Sequence, residues 1–129
     1  MKKLLLTLAV LVLPTLSAKA QDFYGVATIV NRCPDVVVFD SQVGDNRRES
    51  WELAPGGSRH FYHPYASPNE HRSPPLIISF PTGHGVQRCQ VKHGGSPTQG
   101  GPGDTYEFRL ENGYLGLYST GNGHVTNLN

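Results

Sequence analysis

Beyond residue 22 the apolar residues come in short bursts separated by clusters of Gly, Pro, Asn and Asp, and nowhere do they keep the i, i+3, i+4 spacing of a helix for more than about a turn. The stretch Thr28 to Phe39, TIVNRCPDVVVF, organises the rest: two β-branched runs meet at Cys33-Pro34, where proline removes a ladder donor and bends the chain. It reads as strand, corner, strand. The same pattern predicts strands at Phe23–Val30, Val36–Phe39, Glu49–Leu53, Ser58–Tyr65, Leu76–Phe80, Val86–Lys92, Thr105–Leu110 and Tyr114–Ser119. Trp51 and Leu53 share a face opposite Glu52, and Tyr106, Phe108 and Leu110 point inward together. Leu76–Phe80, a continuous apolar run, is expected at the centre of a sheet. Ala54-Pro55-Gly56-Gly57 is expected to close a hairpin, and Asn112-Gly113 is the strongest hairpin dipeptide in the chain. Ala66–Pro75 reads as a polar, proline-rich loop. His93–Asp104, with five glycines and two prolines, reads as a mobile loop and the first site of proteolysis. Eight short strands at this spacing predict an all-β antiparallel sandwich.

The first twenty residues follow a different pattern: Lys2 and Lys3, an apolar run from Leu4 to Leu13, Pro14, and a small-residue site at Ala18-x-Ala20. This is the form of a secretory signal peptide. A run of that length, at about 1.5 Å per residue, reaches only about halfway across a ~30 Å hydrocarbon core, so a membrane anchor is not expected. Cleavage after Ala20 leaves a single monomeric domain over residues 21–129, secreted and extracellular. It also removes Lys2, Lys3 and Lys19, so that eight Lys and Arg stand against ten Asp and Glu. Without a basic surplus, neither nucleic acid nor an anionic membrane is an expected partner. The exported context changes the reading of Cys33 and Cys89 as well: two cysteines in a small secreted domain are expected to pair as a disulfide, rather than serve as a reactive thiol.

Several segments resemble a known family. Ile29-Val-Asn-Arg-Cys33 with the proline after it, Glu49-Ser50-Trp51 before Leu53, and the Pro55-Gly56 turn resemble the N-terminal signature of thaumatin-like proteins. Gly95-Ser96-Pro97-x-Gln99, Tyr106-Glu107-Phe108 and Leu117-Tyr118-Ser119 resemble more closely the short fungal secreted proteins named after a yeast-phase-specific antigen of Blastomyces. The resemblance spans nearly all of residues 21–129 and implies a compact, exported thaumatin-like β-sandwich. Its motifs include no catalytic residue, and where larger thaumatins carry many disulfides and an acidic cleft this chain has one possible bridge and lacks the long insert domains, so glucanase activity is not implied.

Candidate chemistry is sparse. His60 and His63, three apart on a strand, point to opposite faces and are not expected to chelate one ion, while His71, His84 and His93 fall in loops that could converge; no metal or cofactor is predicted. Glu107 with Glu111 and Glu49 with Glu52 read as solvated residues rather than the acid and base of a glycosidase. No G-x-S-x-G elbow is present. Aromatics outnumber the evident inward positions, and Tyr62, Tyr65, Tyr114 and Tyr118 are the candidate binding residues, since an exposed tyrosine stacks on sugars or anchors protein contacts while its hydroxyl stays wet. The expectation is a non-enzymatic secreted binding protein, effector-like or cell-wall-associated, with a wall polysaccharide or a host surface protein as partner. The rival expectation is a small wall-active glycoside hydrolase.

Overall fold

The computed structural model describes residues 21–121 and 125–128, so the leader at residues 1–20 lies outside the described residues. Among the described residues ten strands make up two sheets: β1 (Tyr24–Asn31), β2 (Val37–Val43), β3 (Glu49–Leu53), β4 (Ser58–Pro64), β5 (Leu76–Pro81), β6 (Val86–Val91), β7 (Gly94–Ser96), β8 (Asp104–Glu111), β9 (Tyr114–Ser119) and β10 (Thr126–Asn127). The first sheet runs β4-β1-β8-β9 with β7 also on β1, and the second runs β10-β6-β5-β2-β3.

The sheets pack face to face. Ala27, Ile29, Phe61, Tyr106, Phe108 and Leu117 of the first meet Val37, Phe39, Leu53, Leu76, Ile78, Phe80 and Val91 of the second. Phe108 stands between them, its ring 5.3 Å from that of Phe39 and 5.1 Å from that of Phe80. Burying this apolar area is the main force holding the layers together, at roughly 25 cal/mol per Å². β5 is central in its sheet, as its unbroken apolar run predicts. β3 occupies the predicted residues, and its Trp51 donates Nε1–H to Ser41 Oγ at 2.7 Å while the Arg59 guanidinium lies 3.3 Å over its ring. Asn112 and Gly113, at φ of 54° and 81°, close the β8–β9 hairpin in the left-handed geometry that this dipeptide favours.

Several expectations are corrected. β4 pairs with β1, not with β3, so Ala54–Gly57 carries the chain from one sheet to the other instead of closing a hairpin. The cause is local: Asn31 receives Gly56 N–H on its carbonyl and gives its own N–H to Gly57 O, which docks the turn on the end of β1. β1 also pairs in parallel with β8, from Ala27↔Asp104 to Asn31↔Phe108, so the sandwich is not purely antiparallel. Leu110 is 47% exposed, since β8 runs past the edge of the core.

The segment His93–Asp104 is less open than its composition predicts. β7 pairs with β1, Ser96 is fully buried, and Ser96 Oγ donates to Thr98 O at 2.8 Å. Three of its glycines are required by contact: a Cβ on Gly103 would strike the carbonyl and side chain of Val26, one on Gly94 would sit 2.7 Å from Asp104 N, and one on Gly95 would strike the Asp22 carboxylate.

Cys33 and Cys89 are buried and unbonded, which overturns the predicted disulfide. Cys33 follows β1 beside the end of β3, whereas Cys89 lies on β6, with β5 and β2 between β6 and β3. Strands about 4.8 Å apart put such positions beyond the ~7 Å Cα separation that a disulfide spans.

Candidate functional site

The four predicted tyrosines do not share one surface. Tyr62, on edge strand β4, is 50% exposed and meets Tyr24 edge to face at 6.1 Å. Tyr118, on the opposite edge strand β9, is half-buried and lies 5.2 Å below the Arg109 guanidinium. Burial raises its hydroxyl pKa, and the nearby Glu111 carboxylate raises it further. Both project from the outer face of the first sheet, by their register with Val26 and Glu107. Tyr114 instead leans over the β5–β6 turn, where its ring stacks on His84 at 4.2 Å. Tyr65 lies just past β4 at one end of the sandwich.

Charged residues cluster on this face beside Tyr118. Glu107 accepts from Arg32 Nε at 2.8 Å and from Arg109 Nη2 at 2.7 Å. These bonds, Arg32 first, hold its carboxyl below the usual range. Thr28 Oγ1 and His60 Nδ1 share a hydrogen bond of 2.7 Å on the same face. His63 points the other way, toward His93, so the two β4 histidines are separated as the strand period requires.

Around Tyr65 a polar cap closes the end where β1 begins, a feature with no periodic sign in the sequence. Asp22 Oδ2 meets His71 Nε2 at 3.0 Å, and Asp22 and Asn69 exchange hydrogen bonds of 2.7 and 2.8 Å. Tyr65 N–H donates to Phe23 O at 2.8 Å, and its ring packs 5.8 Å from His71. These contacts clip Ala66–Pro75 onto the start of β1. Burial, then the Asp22 charge, raises the Tyr65 pKa. The cap exists because residue 25 is glycine: a Cβ there would collide with Ser73 Oγ and come within 2.9 Å of His93 Cβ. Of the three loop histidines, His71 and His93 do converge, lining one cleft, while His84 does not. Among the described residues no three His, Cys, Asp or Glu side chains are grouped to hold a metal ion.

Neither thiol is set up for reaction. Burial pushes the Cys89 pKa up to about 11, and burial followed by the Asp35 charge raises that of Cys33. No family model, curated protein or solved structure matches the chain.

Proposed function

We propose that this chain is an exported, non-enzymatic, thaumatin-like β-sandwich that acts outside the cell by binding a cell-wall polysaccharide on the outer face of its first sheet. The observation that carries the reading is one face with an exposed tyrosine, Tyr62, at one edge, the half-buried Tyr118 at the other, and an Arg32–Glu107–Arg109 network fixed beside Tyr118. Three strand spacings and four residues of rise put Tyr62 and Tyr118 about 14 Å apart across the strands and about 13 Å along them. Only an extended ligand touches both, which suits a polymer better than a single sugar.

The hydrolase reading fits this face poorly. Glu107 and Glu111 do share the face of β8, but four residues apart they stand about 13 Å from each other, outside the ~5 to 9.5 Å that glycosidase carboxylates need. Glu107, with its pKa lowered by two arginines, is also a poor general acid.

Depletion from solution by insoluble β-glucan and chitin, with reducing-sugar release followed in parallel, tests the proposal. The protein is expected to leave solution without releasing sugar. Tyr62→Ala and Tyr118→Ala are each expected to weaken retention about five- to tenfold, the scale of one aromatic contact at ~1 kcal/mol. Retention unchanged by both substitutions, or capture by a surface protein in place of either polymer, overturns the polysaccharide reading. Sugar release lost in Glu107→Gln would establish the hydrolase.

A further inference from the structure

The polar cap borders a cleft of about 190 Å³ lined by His71, Ser73, Gln90, Lys92, His93 and the Pro74-Pro75 pair. His71 is paired with Asp22, and Gln90 and Lys92 are exposed at the cleft's rim, which leaves Ser73 and His93 as the inner polar groups. Ser73 Oγ is buried beside the Tyr65 hydroxyl, without a well-formed hydrogen bond to it. Among the described residues, His93 makes no side-chain hydrogen bond and the Lys92 ammonium no ion pair. Nearly all buried polar groups in folded proteins are partnered, so groups left over on the wall of a concavity are placed for a molecule that enters it.

Charge decides what that molecule is. The cap's acids are occupied: Asp22 is paired with His71, Glu70 Oε1 accepts Ala66 N–H at 3.0 Å, and Asp104 has a partner of its own. The remaining groups can all donate: the lysine ammonium, which only donates, and the serine hydroxyl, the Gln90 amide and an imidazole N–H, which do so beside acceptors of their own. The volume lies below the ~300 Å³ at which drug-sized ligands begin to fit, so the occupant is a single small unit. We infer that this cleft binds one carboxylate-bearing molecule of monosaccharide or amino-acid size, its carboxylate held by Lys92, Ser73 and His93. The site shares no residue with the tyrosine face.

The ionisable groups around the cleft are His63 on β4, His71, Asp22 and Tyr65 in the cap, Asp104 at the start of β8, and Lys92 beside His93. Burial first, and His63 second, hold His93 at a pKa of about 4. A carboxylate arriving beside it favours the imidazolium, so binding should raise that pKa.

The test is an NMR titration of the His93 ring in the intact protein, using D-glucuronate, acetate and D-glucose as probes near pH 5.5. Glucuronate is expected to shift the His93 resonances and raise its pKa by about one unit or more, as an opposite charge within ~4–6 Å does. Lys92→Gln should weaken binding about tenfold, the loss of one charge-assisted hydrogen bond. Ser73→Ala should weaken it by a smaller factor and Tyr62→Ala not at all; each variant's backbone spectrum reports that it remains folded. Acetate acting through the same residues, more weakly than or equally to glucuronate, supports the assignment and tells whether the sugar ring contributes. Glucose binding as well as glucuronate, glucuronate binding unaffected by Lys92→Gln and Ser73→Ala, or no response to either carboxylate overturns it. Because Tyr62→Ala acts only on the other face, failure here leaves the polysaccharide result intact.

Discussion

The two ends of β1 treat buried polarity in opposite ways. At its C-terminal end Asn31 is 0% exposed and fully engaged: its Nδ2 donates to Asp35 O and Leu53 O, its Oδ1 accepts from Cys33 N–H, and its backbone joins the Gly56–Gly57 turn. One amide side chain there joins the corner, β3 and β1. At the N-terminal end Ser73 and His93 sit against Gly25 with capacity left over. A satisfied buried group specifies structure, whereas an unsatisfied one weakens the fold and invites a ligand.

The sharpest way to break this comparison is Asn31→Asp. It removes two buried donors and puts a charge where carbonyls already point, and should lower unfolding free energy by about 3 to 5 kcal/mol at neutral pH. Urea denaturation showing a loss below about 1 kcal/mol would mean that Asn31 does not hold the corner.

An intermediate effect belongs to the other end. Folded His93 takes up its proton near pH 4, against an unperturbed 6.5, so between these values the unfolded chain binds more protons. Stability should therefore fall as pH drops from about 6.5 to about 4, by about 3 kcal/mol from this group, and the group adds no further loss below that. Denaturation midpoints of wild type and His93→Gln, compared at pH 7 and 4.5, measure it; equal pH slopes would show that the ring is not held neutral.

The smallest effect is the most discriminating. Ser73→Ala deletes a hydroxyl that makes no well-formed hydrogen bond to the nearby Tyr65 and should change stability by less than about 1 kcal/mol, with a gain as the expected sign. A loss of several kcal/mol would reveal a structural bond and make the two ends alike.

Much of the fold is legible in the sequence because burial follows strand period. Glu49–Leu53, the central Leu76–Phe80 run and the Asn112-Gly113 turn all stand where pattern and turn chemistry predict them. Pairing partners are harder to read. Alternation says which way a residue faces but not which strand lies beside it, so the β1–β4 pairing and the parallel β1–β8 ladder carry no local signal. β7 is hidden for a different reason: its Gly94-Gly95 has no side chains to form a pattern, and close packing against Asp104 and Asp22 explains the glycines. The cysteines misled because an even count describes composition, while bonding depends on which strands separate them. Of the site, surface tyrosines could be nominated individually, but their division among a face, a turn and a cap depends on sheet order. The cleft could not be foreseen, since an unmet hydrogen bond exists only in three dimensions.

The parallel ladder of β1 and β8 also sets the order of assembly. β1 is synthesised ahead of every other strand, yet one of its edges is completed only by residues 94–96 and 104–108, near the far end of the chain. Closing so long a loop delays the reward of pairing, and topologies dominated by distant contacts fold in milliseconds to seconds rather than microseconds. Until its last quarter is present, then, this polypeptide has no complete first sheet to form, and the outer half of β1 waits with its backbone donors and acceptors unpaired.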